Sequence, residues 1–159
     1  MTAQLIDGNA VAADVRQRIA AAATAFATKH GAPPGLAAVL VGDDAASRIY
    51  VRNKQRACAA VGVASFEHEL PGDASQAAVL ELIDGLVRDE RVDGILVQLP
   101  LPPQVDPARV TMAIGPDKDV DGFHPLNIGR LWTGGSTIVP CTPQGCMMLI
   151  DRVRPNLSG

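Results

Sequence analysis

Apolar residues recur at helical intervals from Val11 through Val15, Ile19 and Ala22 to Phe26, so the spacing predicts a helix from about Asp7 to His30. Gly31 supplies a stop, and the Ala-Pro-Pro-Gly run that follows supplies a turn. The pattern then changes. Leu36 to Val41 is an unbroken apolar run closed by Gly-Asp-Asp, which suits a strand buried on both faces. A second helix is expected from Asp44 to about Val61 with Gly62 as its cap, and Ala64 to Leu70 reads as the next strand. Asp73 and Gln76 open a third helix, whose Val79, Ile83, Leu86 and Val87 share a face. Asp93 to Gln98 is a further buried strand, closed by Leu-Pro-Leu-Pro-Pro. Near the end, Thr142 and Pro143 look like the N-cap and first residue of a helix carrying Cys146, Met147, Met148, Leu149, Ile150 and Val153. With so little polar interruption, that helix wants cover on more than one side.

Helix and strand in alternation argue for an α/β fold: a three-layer α/β/α domain around a small, mostly parallel sheet with right-handed crossovers. Ligands of such sheets bind at the carboxyl ends of the strands. The segments after Val41 and around Gln98 are therefore expected to meet at one edge, where chemistry should be sought.

The 159 residues, 47% of them apolar, suffice for one domain with a sizeable core. A formal charge of -3 gives no general attraction to phosphate backbones or acidic lipid. The amino terminus lacks the basic-then-apolar pattern of a secretory signal, and no run approaches the length of a membrane span. These features predict a cytoplasmic protein without nucleic-acid or membrane partners. Cys58, Cys141 and Cys146 are odd in number and lack C-x-x-C spacing, so they read as reduced thiols, at least two of them in the core.

On the second helix, Ser47, Tyr50 and Lys54 fall within an arc of about 60°. Arg48, Arg52 and Arg56 occupy a different sector and read as a solvated face. Lys54 differs from them, because Cys58 and Val61 continue its sector into what should be core. A lysine there must snorkel outward or be partly buried among polar partners. Tyr-x-x-x-Lys alone also suggests a short-chain dehydrogenase, but that reading needs a G-x-G-x-x-G turn and a serine well upstream, and the sequence has neither. Asp117 to Gly122 begins like a calcium loop. Its twelfth position is Ile128 instead of a bidentate Glu, and Pro125 interrupts it, so no metal site is expected. His30, His68 and His124 lack metal-ligand spacing, and Ser47 lies outside any G-x-S-x-G elbow. Asp121, judged by itself, is as well explained by an Asx-turn before Gly122 as by ligand binding.

Four motifs stand in order: Val41-Gly-Asp-Asp-Ala-Ala-Ser-Arg-Ile-Tyr-Val-Arg-Asn-Lys54, Gly94-Ile-Leu-Val-Gln-Leu-Pro-Leu-Pro102, Pro116-Asp-Lys-Asp-Val-Asp-Gly-Phe-His-Pro-Leu-Asn127 and Pro140-Cys-Thr-Pro-Gln-Gly145. In order and spacing the chain resembles the bifunctional methylenetetrahydrofolate dehydrogenase/methenyltetrahydrofolate cyclohydrolase family over essentially its whole length. The resemblance implies that Lys54 is the central acid/base residue, that Gln98 hydrogen-bonds it, and that Tyr50 stacks along the folate. It further implies that Asp121 accepts hydrogen bonds from the pterin, that Ser47 supports the lysine, and that the backbone beside Val97 and Leu99 lines the pocket. The implied substrate is 5,10-methylenetetrahydrofolate. It is oxidised with NADP and hydrolysed to 10-formyltetrahydrofolate, a step of one-carbon metabolism that feeds purine biosynthesis. The implied organisation is a folate-binding catalytic domain over residues 1–140, then an interdomain helix and linker start over 141–159. On this reading the NADP-binding domain and its cofactor residues lie outside the chain, and the full enzyme is a homodimer. Two alternatives stay open: a non-catalytic folate-binding module, which has no need of Lys54, and the substrate domain of a shikimate-type dehydrogenase, which would not bind reduced folates.

Overall fold

The computed structural model describes residues 5–154 and 156–157. In chain order the elements are α1 (Gly8–His30), β1 (Gly35–Val41), α2 (Ala45–Val61), β2 (Ala64–Leu70), α3 (Gln76–Arg88), β3 (Gly94–Val97), α4 (Pro107–Ile114), α5 (Pro125–Trp132) and α6 (Cys141–Val153). The three strands form one parallel sheet in the order β2-β1-β3. Gly35 pairs with Ala64 and Val41 with Leu70 on one side of β1, and Leu36 pairs with Gly94 and Val39 with Val97 on the other.

Because β2 and β3 flank β1 on opposite sides, successive right-handed crossovers carry α2 and α3 to opposite faces of the sheet. The side chains follow suit. Ala37, Val39 and Val41 join Ile95 and Val97 in a core with Val79, Ile83 and Leu86 of α3 and Val110 and Ile114 of α4. Ala38 and Leu40 point the other way and pack on Val51 of α2. This is the expected three-layer α/β/α arrangement, with a central strand buried on both faces.

Local signals place the helix ends. Asp7 accepts hydrogen bonds from the Asn9 and Ala10 amides at 2.9 and 3.2 Å, and Gly31 leaves α1 in the left-handed region at φ 79°. Gly62 does the same for α2 at φ 76°. Ser75, between the two residues expected to open α3, is its cap, the hydroxyl oxygen accepting from the Ala78 amide at 3.2 Å.

Several expectations are corrected. The last helix begins at Cys141 with Pro140 as N-cap, so Thr142 and Pro143 lie inside its first turn. Pro143 is tolerated because its missing N–H is one that no intrahelical carbonyl would meet, the first bond being Gln144 N–H to Pro140 O at 3.2 Å. Cys141 and Cys146 are exposed and Cys58 is half-buried, so the expected pair of core thiols is not formed. The reason is that α6 buries none of its residues; it leans on α1, to which an ion pair between Arg152 and Asp14 ties it. Burial nonetheless pushes the Cys58 thiol up. Along α1, Val11, Val15 and Phe26 are half-buried, Ile19 and Ala22 are exposed, and Ala23 is the fully buried residue. Helices α4 and α5 were not anticipated. Exposed Leu126, Ile128, Leu131 and Trp132 decorate α5, Trp132 at 91% exposure. The linker expected after α6 falls partly on Pro155, Ser158 and Gly159, which lie outside the described residues. No helix among the described residues is long and apolar enough to cross a membrane.

At the amino ends of the strands, β1 and the loop before β3 meet closely. The Gly35 amide donates to Asp93 Oδ2 at 2.8 Å, and the Asp93 amide donates to Gly35 O at 2.8 Å. A Cβ on residue 35 would lie 1.9 Å from the carbonyl oxygen of Arg91. Only glycine fits that contact.

Candidate active site

The carboxyl ends of β1 and β3 bring the expected residues together. Gln98 directly follows β3, and its amide donates to Val39 O at 2.8 Å, extending the β1–β3 ladder by one bond. Its side-chain Nε2 donates to Leu99 O at 2.8 Å, just before the cis Leu99–Pro100 peptide. That bond turns Oε1 the other way, and Lys54 Nζ donates to it at 3.1 Å. The lysine is half-buried on α2, as its sector predicts. Tyr50, one turn earlier, is 61% exposed, so its ring is available as a surface against which a flat ligand can lie.

Ser47 is 4% exposed and works at the start of α2. Its amide donates to Asp44 Oδ2 at 2.7 Å and its side chain bonds the same carboxylate. The Ser47 backbone bond, then the side-chain bond, hold the Asp44 carboxyl below its usual range. Ser47 therefore fixes the helix that presents Tyr50 and Lys54. Val97 is buried, whereas Leu99 is exposed.

Asp121 is half-buried and reaches the same edge. Burial pushes its carboxyl up, the positive charge of Lys54 pulls it down, and the carboxylate of Asp119 pushes it up again. Val97, Leu99, Asp121 and Phe123 share a small cavity of about 20 Å³. Larger hollows lie elsewhere: about 600 Å³ between α1 and α6, and about 430 Å³ beside the amino ends of β1 and β3. Neither contains Lys54, Gln98 or Asp121, so the chemistry lies in neither of these larger hollows.

The segment that carries Asp121 shows residues that sequence reasoning missed. It runs beside β3, with the Ile95 amide donating to Lys118 O at 2.7 Å. Lys118 Nζ donates to the carbonyls of Leu86, Val87 and Asp89 at 3.3, 2.8 and 2.9 Å. Asp119, 2% exposed, accepts from the His124 amide at 2.8 Å and from Asn127 Nδ2 at 3.0 Å. Asn127 Nδ2 also donates to Pro116 O at 2.9 Å, and its Oδ1 accepts from Thr137 at 3.1 Å. Gly122 turns at φ 68°, where a Cβ would approach Ile138 O to 2.8 Å. The loop-closing carboxylate is thus Asp119, and Asp121 is the one left in the field of Lys54. The sequence signal for this network is His124-Pro125, a cap followed by a proline at the first helical position; His124 Nδ1 accepts from the Leu126 amide at 3.2 Å.

Residues 6–121 match the family described as tetrahydrofolate dehydrogenase/cyclohydrolase, catalytic domain. The Bifunctional protein FolD 3 of Rhizorhabdus wittichii is 55% identical over 99% of this chain and 52% of its own length. The Bifunctional protein FolD of Nitrobacter winogradskyi is 54% identical over 100% of this chain and 54% of its own. A crystal structure of the bifunctional FolD methylenetetrahydrofolate dehydrogenase/cyclohydrolase from Campylobacter jejuni aligns with a TM-score of 0.93 at 39% identity, covering 98% of this chain and 55% of that one. The Trypanosoma brucei enzyme, solved with NADP cofactor and an inhibitor, aligns with a TM-score of 0.89 at 35% identity over 96% and 52%. The chain spans about half the length of the curated relatives it matches. The family match takes in α2, β3 and the segment through Asp121, the same parts that assemble the Lys54 site, and the chain belongs to the tetrahydrofolate dehydrogenase/cyclohydrolase family.

Proposed function

We propose that the chain is the folate-binding catalytic half of a methylenetetrahydrofolate dehydrogenase/methenyltetrahydrofolate cyclohydrolase of cytoplasmic one-carbon metabolism, with α6 beginning the connection to a cofactor-binding half. The observation that carries this reading is the 3.1 Å bond from Lys54 to Gln98 at the carboxyl edge of the sheet, with Asp121 in the field of the lysine. In the hydrolytic step, water adds to the methenyl carbon of the cationic substrate. Lys54 as the free amine takes a proton from that water. As the carbon–N5 bond breaks, the lysine returns a proton to N5, the hydroxyl proton leaves, and the carbon remains on N10 as a formyl group. Gln98 cannot take part in the transfer, since an amide is not a useful base, but it fixes where the amine points. Tyr50 offers a face for stacking, and Asp121 an acceptor for the pterin N–H groups.

The oxidation that precedes hydrolysis needs a hydride acceptor, and the residues of this chain do not fit a nicotinamide dinucleotide. A doubly wound nucleotide fold seats the pyrophosphate on the amides that open the helix after its first strand. Here Asp44 already occupies the Ser47 amide, and Asp43, ion-paired to Arg48 at 2.6 Å, puts a second carboxylate at the same turn. The chain alone is therefore expected to give no oxidation of methylenetetrahydrofolate with either NADP or NAD, and to gain it when joined to a cofactor-binding half. Cofactor-dependent oxidation by the unjoined chain in a spectrophotometric assay would overturn this.

Folate recognition is tested by Asp121→Ala. Hydrogen bonds to a charged group are worth about 1.5–3 kcal/mol, so tetrahydrofolate affinity should fall by about tenfold or more while the melting temperature moves little. An unchanged dissociation constant in calorimetry would reduce Asp121 to a turn residue. Absence of any reduced-folate binding would overturn the folate reading, and binding without hydrolysis in the joined enzyme would leave a non-catalytic module.

A further inference from the structure

Asp121 sits on a segment that is neither helix nor strand, yet its neighbours are tied on both sides. Lys118, three residues earlier, sends its ammonium to three carbonyls at the carboxyl end of α3. These are among the groups a helix leaves without intrahelical donors, and a cation there also meets the negative end of the helix dipole. Asp119 holds the opposite direction, its carboxylate bound by the first turn of α5 through His124 and Asn127. Beyond Asp121 the chain turns at Gly122 against Ile138 O.

We propose that Lys118 is a positioning residue for the folate site: by clamping the 117–122 segment to the end of α3, it aims Asp121 at the cleft beside Lys54. The three bonds of Lys118 go to backbone on the opposite side of the sheet from α2, whereas Lys54 bonds Gln98. Its effect on ligand binding must pass through the segment it clamps. This inference rests on the reading of Asp121 as the pterin anchor, and the test separates the two.

The experiment is a double-mutant cycle of Lys118→Met with Asp121→Ala, read by tetrahydrofolate affinity, together with the ¹³Cγ titration of Asp121 in the ligand-free chain. The expected result is a loss of roughly tenfold in affinity for Lys118→Met, shrinking to less than about twofold when residue 121 is already alanine. The titration midpoint of Asp121 should fall toward the ordinary carboxylate value as the released side chain moves into water, and Lys118→Arg, which keeps donors for the carbonyls, should restore part of both. Equal affinity losses in the two backgrounds with an unmoved midpoint would overturn the proposal. Should Asp121→Ala alone leave affinity unchanged, the anchor reading fails and the midpoint decides positioning by itself: a shift supports it, no shift refutes it. Lys118→Gln, which keeps one amide donor, carries the same measurements if the methionine variant does not fold.

Discussion

Lys54→Met, made in the chain joined to a cofactor-binding half, should slow methenyltetrahydrofolate hydrolysis by about 10² to 10⁴, the range a positioned acid/base contributes. Methionine matches the lysine stem in length and cannot carry a proton. Tetrahydrofolate should still bind within a few-fold, because the stacking face of Tyr50 and the carboxylate of Asp121 are untouched. Stability should change little, since the bond lost is one half-buried contact to Gln98. Lys54→Arg should be nearly as slow, because a guanidinium keeps the charge but does not give up its proton at neutral pH. The Met variant has a second signature: without the lysine charge the Asp121 carboxyl should titrate higher than in the parent, since Lys54 is the influence that lowers it. Hydrolysis at the parent rate in a stopped-flow assay would remove Lys54 from the mechanism.

The opposite kind of effect is expected at the other end of the sheet. Gly35→Ala places a methyl carbon 1.9 Å from the Arg91 carbonyl oxygen, and that oxygen belongs to backbone, so no rotamer change relieves the clash. The strand and the loop must part, straining both hydrogen bonds between Gly35 and Asp93. Overpacking together with the weakened bonds should cost about 2–4 kcal/mol, a large share of a marginal folding free energy. The folded fraction should keep its folate affinity, because the contact lies at the amino ends of the strands, away from Lys54. Gly85→Ala is the matched control. A Cβ at this exposed position of α3 meets nothing within 4 Å, so alanine should stabilise by about 0.5–1 kcal/mol through helix propensity. Urea unfolding midpoints that moved together for the two variants would contradict the steric argument.

The parts of the fold legible in the sequence are those fixed by local physics. The buried run of β1, the face of α3 and the glycine stops of α1 and α2 follow from periodicity and backbone preference, and they appear within a residue or two of where they are expected. Helices α4 and α5 are not legible because eight residues give barely two turns of pattern. Pro125 reads as an interruption when viewed as part of a metal loop, yet it is the first residue of α5. The exposure of Cys141 and Cys146 is not legible because apolar composition along α6 says nothing about whether another element covers it. At the site, the shared face of Ser47, Tyr50 and Lys54 was readable, as was the arrival of Gln98 at the same edge. The clamp by Lys118 and the Asp119–Asn127 bond join residues far apart in the chain or out of any period, and their partners are partly backbone. No spacing rule encodes such contacts.

The chain contains one tryptophan and one tyrosine, and both are largely exposed, Tyr50 on α2 and Trp132 at the end of α5. Its near-ultraviolet signals therefore come from Trp132 and Tyr50, with no buried indole to report on the core. Heat or urea should change tryptophan emission only weakly, so unfolding is better followed by far-ultraviolet circular dichroism. A ligand lying on Tyr50, or a protein surface closing over α5, would instead alter the optical signal of a ring that begins in water. The placement of these two rings makes the chain a poor fluorescent thermometer of its own folding and a sensitive one of what docks beside it.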